Sequence, residues 1–336
     1  MALTSASIVG IAVAVPSNVR TVEEDFPTLS PAELRKLVTS TGIVSRRVTD
    51  SLATEDLAVQ AVRSLLDGLH WDDDSVDVLI VGTQTSSRHL PGASSLIAAQ
   101  FNFDTLQVCF DYNLGCSAYP YGVYLTNHFL NDLGLRRAIL VTGDTLTTLI
   151  PRDDKSLSPL FGDAVAATAI EISGNPQPSE WVFGSDARGH NFISSGPSKK
   201  ALKDDVLKMQ GPQVFGFGLR EVPAAVHQLL GKSQLQKSDL HYWAFHQANK
   251  LLIDRISLKL ELDPTKVLTS SPLYGNTSGA SIPLLLHENS GALKFHSDKA
   301  NLAIVGFGVG LSWAAGIVAL SADCIFPRIV EVKSPG

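Results

Sequence analysis

The sequence predicts an α/β fold built from two similar halves, and three observations predict it. Strand-like and helix-like apolar patterns alternate along the whole chain. The pattern also repeats in register: Val81 and Phe245 stand 164 residues apart, as do Leu140 and Ile304, each inside an apolar strand pattern. Finally, Cys116 and Asn276, 160 residues apart, both sit on glycine-marked turns that open helix-like runs. The halves are residues 1–172, carrying Cys116, and residues 173–336, carrying His246 and Asn276. Duplication of this kind brings equivalent loops to one shared face.

The elements follow in order. Residues 6–15 are an apolar run stopped by Pro16, a buried first strand. Ser30 and Pro31 read as cap and first residue of a helix over 30–41 that ends before Gly42. Leu57, Val59, Val62, Leu65 and Leu66 make residues 54–69 helical. Residues 76–81 are a buried strand, 93–102 a helix, and 106–111 a strand leading to Gly115-Cys116. The helix beyond carries Tyr119, Val123, Leu125, Phe129 and Leu130. A strand follows at 137–142, and residues 161–170 are a turn into another strand. Residues 171–215 are rich in Ser, Gly, Pro and Lys and read as loops. Strands at 239–245, 302–305 and 315–320 rebuild the pattern in the second half.

Composition narrows the function. The 336 residues are 44% hydrophobic, enough for a large core, and the net charge of -6 comes without long Lys/Arg runs. Nucleic acid and anionic membrane are excluded as main partners, while a small acidic carrier protein needs only a local basic patch. Three cysteines without CxxC spacing fit neither a disulfide framework nor a zinc site, and point to a reducing cytoplasm. The first apolar run lacks the basic flank of a signal peptide, and no stretch reaches the roughly 18 apolar residues of a membrane span.

The stretch Asp111-Tyr-Asn-Leu-Gly-Cys-Ser-Ala-Tyr-Pro120 places a thiol between a strand and a helix. A helix N-terminus offers unpaired N–H groups and partial positive charge, which favour thiolate. Cys116 reads as a covalent nucleophile. Cys109 and Cys324 lie inside apolar strand patterns and read as small buried residues. His246, in His246-Gln-Ala-Asn249, stands in a loop at the carboxyl end of a strand, where acid/base or electrostatic work is done. Asn249 caps the next helix or orients that loop. Asn276 is either a helix cap or a neutral donor to a developing oxyanion. The run Gly306-Phe-Gly-Val-Gly-Leu-Ser-Trp313 is glycine-rich, but a strand rather than a helix follows it. It therefore suits close backbone approach and not nucleotide binding.

Together these motifs resemble the thiolase-fold condensing enzymes, and more narrowly the 3-oxoacyl-(acyl-carrier-protein) synthase III family. The resemblance runs through Thr41-Gly-Ile43 with Arg46-Arg47, Gly115-Cys-Ser117, Leu160-Phe-Gly-Asp163, His246-Gln-Ala-Asn249, Asn276-Thr-Ser278 with Ala280-Ser-Ile-Pro283, and Gly306-Phe-Gly308 with Trp313. It implies a five-layered αβαβα fold, a homodimer, and a catalytic triad of Cys116, His246 and Asn276. It implies an oxyanion hole from the backbone N–H groups of Cys116 and Val309, with Gly308 beside it. Substrates would arrive as coenzyme A or phosphopantetheine thioesters, from acyl-coenzyme A or an acyl carrier protein, with no metal or redox cofactor. Acyl transfer to Cys116 and decarboxylative condensation with a malonyl thioester would follow.

Departures from the family pattern sit at the entrance. Lys36 and Ser40 stand where coenzyme A-gripping members carry tryptophan and arginine, and Leu251 replaces another arginine beside Lys250. Lys155 is the cation retained. Lys36, Lys155 and Lys250 read either as a phosphate-binding patch or as solvated surface lysines. Leu90 replaces an aromatic residue at the dimer-side end of the acyl pocket, and Tyr119-Pro-Tyr121 adds bulk after the nucleophile. These departures suggest a specialised-metabolite or accessory fatty-acid or polyketide pathway. Acyl transfer to an alcohol or amine without decarboxylation remains the rival reading.

Overall fold

One strand order is used twice. The computed structural model of the protein describes residues 6–172, 180–196, 205–270, 272–295 and 299–334. In chain order the main elements are β1 (Ala6–Pro16), α1 (Pro31–Thr41), α2 (Thr54–Leu69), β2 (Val78–Gly82), α3 (Ala93–Ala98), β3 (Val108–Tyr112), α4 (Ala118–Leu133), β4 (Arg137–Asp144) and β5 (Ala164–Ile172). There follow β6 (Trp181–Ser185), α5 (Gly211–Ser233), β7 (Tyr242–Phe245), α6 (Lys250–Lys259), α7 (Ser281–Asn289), β8 (Lys299–Gly308) and β9 (Ser312–Ile325). The first half runs β3-β2-β4-β5-β1, with parallel pairs through β4 and antiparallel pairs after it. The second half runs β7-β8-β9-β6, parallel and then antiparallel twice. A parallel bridge from Trp243 to Val267 stands where the first half has β3. The two sheets meet where β1 pairs with β9 at Ile8 and Gly10.

Side-chain alternation sorts the core into three apolar slabs. Along β8, Leu302 and Ile304 face the central slab, while Ala303, Val305 and Phe307 face an outer one. Along β2, Val78 and Ile80 face the centre, and Leu79 and Val81 face the other outer slab. α4 and α7 fill the central slab, α2 covers the outer face of the first sheet, and α5 and α6 cover the second. The result is the expected α-β-α-β-α layering. Strands buried on both faces read as continuous apolar runs, which is why they were legible.

Local chemistry explains the element ends. Ser30 and Glu33 form the capping box of α1, and Gly42 closes it with φ of 77°. A Cβ on Gly42 would come within 2.9 Å of Lys250 Cβ, so α1 ends directly against α6. Three expectations are corrected. The helix expected over 93–102 stops at Ala98. The segment 171–215 is not merely loops: β6 lies in it, and α5 starts at Gly211. Residues 173–179 and 197–204 of that segment lie outside the described residues. Cys109 is exposed on the outer strand β3 rather than buried, whereas Cys324 is buried. Among the described residues, no helix is long and apolar enough to cross a membrane.

Candidate active site

β3 delivers Cys116 and α4 begins two residues later, the strand-turn-helix arrangement expected. Tyr112 locks the turn. Its hydroxyl donates to Ala118 O at 2.8 Å, and its ring fills the space left by Gly82 and Gly122. The glycine run at the end of β8 is explained by the same elbow. A Cβ on Gly308 would lie 2.8 Å from Cys116 Cβ and 3.3 Å from its Sγ. One on Gly306 would lie 2.9 Å from Cys116 O. Ser312 Oγ donates to Val309 O at 2.7 Å, which leaves Ser117 Oγ to donate to Ser312 Oγ at 2.7 Å. These hydroxyls tie the nucleophile turn to the loop that carries Val309.

The thiol itself differs from expectation. Burial and the carboxylate of Asp144 push the Cys116 thiol up to about 12. The Ser278 hydroxyl and the backbone pull the other way but do not offset burial. Burial therefore opposes the thiolate that the helix start favours.

His246 follows β7 and is 1% exposed. Its N–H donates to Val305 O at 2.8 Å, and its Nδ1 lies 2.6 Å from Ser281 Oγ at the start of α7. Burial lowers its pKa to about 3, so the ring is neutral. Asn276 is built into a backbone frame. Its N–H donates to Leu160 O at 2.8 Å and its carbonyl accepts from Gly162 N–H at 3.1 Å. A Cβ on Gly162 would come 2.1 Å from Tyr274 O, and Asp163 accepts from Thr49 and Thr147 N–H groups at 2.8 and 2.9 Å. The Phe161-Gly-Asp163 segment thus clamps the Asn276 loop to the first half. Asn276 Oδ1 accepts from Ser278 N–H at 2.9 Å, and its remaining polar group, the Nδ2 donor, is what it offers the cavity it lines.

Cys116, His246 and Asn276 line one cavity of about 780 Å³, together with Gly308, Val309 and Asn249. Its walls are otherwise mostly apolar, among them Leu146, Phe161, Leu207, Met209 and Phe307. Asn249 caps α6 through Leu252 N–H, and also lines a second depression with Lys250 and Gln247. The outer residues are brought together only in part. Lys36 and Lys155 line a separate surface depression with Ser40, while Lys250 pairs with Asp254 at 2.6 Å. Leu90 is 87% exposed and does not line the cavity. Tyr119 is buried in the central slab and Tyr121 packs on Phe183, so neither reshapes the pocket. Sequence reasoning missed Ser278 and Ser281. Ser278 is buried with φ of 50° and lines the cavity. The repeated small hydroxyl residues of Asn276-Thr-Ser-Gly-Ala-Ser281 were the available signal.

Known proteins resemble this chain in sequence and fold. The family model for 3-oxoacyl-(acyl-carrier-protein) synthase III matches residues 110–187, and the model for its C-terminal part matches 230–320. A β-ketoacyl-(acyl-carrier-protein) synthase III from Clostridium tetani is 31% identical over 300 residues, covering 83% of this chain and 88% of the relative. The chain belongs to the 3-oxoacyl-(acyl-carrier-protein) synthase III family. Among solved structures, the synthase from Burkholderia xenovorans LB400 superposes with a TM-score of 0.89 at 31% identity, over 98% of this chain and 97% of that one. The priming β-ketosynthase of the R1128 polyketide pathway gives 0.86 at 27% identity, over 94% and 96%. That family is one of condensing enzymes with the thiolase fold. The matched segments hold Cys116 in the first case and His246, Asn276 and Val309 in the second.

Proposed function

We propose that Cys116 takes an acyl group from a thioester and passes it to the carbanion of a malonyl-type thioester. The observation that carries this reading is the convergence of Cys116, His246 and Asn276 on one largely apolar cavity. Cys116 Sγ attacks the acyl thioester carbonyl, the carbon–sulfur bond of the donor breaks, and the departing thiolate takes the thiol proton. The backbone N–H groups of Cys116 and Val309 hold the oxyanion. The malonyl thioester then enters, with its carbonyl oxygen facing His246 Nε2 and Asn276 Nδ2. Two neutral donors aimed at that oxygen favour the enolate formed as carbon dioxide leaves. The enolate carbon bonds to the acyl carbon, and Cys116 leaves as thiolate to regain a proton.

We propose delivery by an acyl carrier protein, because the entrance presents Leu251, 42% exposed, and Lys250 rather than an arginine grip. The likeness to a polyketide-priming ketosynthase supports a role in specialised-metabolite or accessory acyl assembly. A homodimer is part of the same proposal: β3 ends its sheet, and exposed Leu90 rises from the loop packed beside it.

Intact-protein mass spectrometry tests the reading. Acyl-coenzyme A and acyl-carrier donors are offered to wild type and to Cys116→Ala, followed by malonyl-carrier. An adduct on wild type alone, then carbon dioxide and a β-keto product, is expected. No adduct with any donor overturns the acyl-enzyme, and an ester or amide formed without carbon dioxide overturns condensation. Asn276→Ala should keep acylation but lose about 10²–10³ in decarboxylation rate.

A further inference from the structure

We infer that Ser281 is the positioning residue that holds His246 in the tautomer with its proton on Nε2, making the ring a hydrogen-bond donor into the cavity. The inference rests on the condensation reading and sharpens it. Ser281 is the first residue of α7 and is buried, with its Oγ 2.6 Å from His246 Nδ1. The same Oγ accepts from Gln247 N–H at 3.4 Å. A neutral imidazole has one donor and one acceptor nitrogen, and the partner of one sets the other. If Nδ1 carried the proton, the Ser281 Oγ would receive two N–H groups and its own proton would need another acceptor. Among the described hydrogen bonds Ser281 has no such acceptor. If Nδ1 is the acceptor, the Gln247 N–H, the Ser281 O–H and Nδ1 are all paired. Buried polar groups are overwhelmingly paired, so the second arrangement wins.

The consequence separates two chemistries. A His246 with Nε2–H donates to the oxygen of a developing enolate, as decarboxylation needs. It has no free lone pair facing the cavity with which to deprotonate an alcohol or amine. Ser281 therefore biases the site toward carbon–carbon bond formation and against simple acyl transfer. Burial of the ring keeps it neutral, which makes the choice of tautomer decisive.

The test is nuclear magnetic resonance of protein labelled with nitrogen-15 at histidine, with the His246 signals identified by their loss in His246→Asn. Wild type should show protonated Nε2 and unprotonated Nδ1. Ser281→Ala should admit the other tautomer and slow carbon dioxide release about tenfold, the rate equivalent of one hydrogen bond, while Cys116 acylation is unchanged. Ser281→Thr should restore both signals and rate. Protonated Nδ1 in wild type overturns the inference whatever the activity. So does a Ser281→Ala protein with wild-type tautomer and wild-type decarboxylation. Failure of wild type to release carbon dioxide overturns the condensation reading instead, while the resonance signals judge the tautomer on their own.

Discussion

At Gly308 the missing side chain is the functional feature. Any β-carbon there meets Cys116 Cβ at 2.8 Å, closer than real contacts allow, so the strand or the nucleophile turn has to shift. Displacing a reacting atom by about 1 Å costs roughly a hundredfold, so Gly308→Ala should lower Cys116 acylation by about that factor. Intact mass after a timed donor pulse reads it, and an unchanged rate would show that the elbow tolerates the shift. His246 makes a prediction on stability. Its pKa is about 6.5 unfolded and about 3 folded. Above pH 6.5 it is neutral in both states and contributes no pH dependence. As pH falls through that window, the unfolded chain binds a proton the folded one refuses, and stability drops by ~1.4 kcal/mol per pH unit. His246→Asn should remove this part of the slope, measured by denaturant midpoints at about pH 7 and about pH 5. Parallel slopes for the two proteins would contradict a buried neutral ring. Cys116, His246 and Asn276 were legible because each stands at a turn in matching register. Ser281 was not, because its meaning depends on an imidazole 35 residues away in sequence.

Among the elements, the pair β6 and β9 shows why part of the fold escaped the sequence. Trp181 stands opposite Gly316, and Trp313 opposite Gly184. A Cβ on Gly316 would lie 2.2 Å from the Trp181 ring, and one on Gly184 would lie 2.1 Å from Trp313. Each indole covers the glycine facing it, so the glycines that look like breakers are seats for aromatic rings. Gly316→Ala should destabilise by about 1–3 kcal/mol, read as a lower denaturant midpoint with unchanged slope. No loss would mean that the ring swings away freely. α5 carries Gly211, Pro212, Gly216, Gly218, Pro223 and Gly231, and propensity argues against it. It forms because Phe217, Val222, Val226 and Leu229 have a ready apolar slab to enter. By contrast α1 and α2 carry their own caps or periodicity and were readable from residues alone.

For the whole molecule, duplication is the organising fact. Two sheets of one order share a central helical slab, which sets the turns before α4 and α7 near one another. Among the described residues, the same arrangement leaves β3 at the edge of its sheet, with Cys109 exposed and Asp111 accepting from Ser94 N–H of α3 at 2.6 Å. Open edges pair with other chains unless blocked. We expect sedimentation velocity to show a species of twice the chain mass, and Leu90→Glu to shift it toward the monomer. A monomeric wild type would remove the dimer from the proposal. The exposure of Leu90 in one chain agrees with its expected place only if that place belongs to the partner's cavity.

The sequence alone indicated the fold class, the repeat, the boundaries of the capped helices and the turns that hold Cys116, His246 and Asn276. Those are properties of local periodicity and turn chemistry, which neighbouring residues carry. Tertiary structure decided what distance along the chain hides. It showed that burial raises the Cys116 thiol and neutralises His246, and that the entrance lysines occupy two depressions. It also showed that glycines and prolines can build a strand pair and a long helix. Each depends on which atoms lie within a few ångströms across layers, and desolvation and close packing respond to that proximity alone.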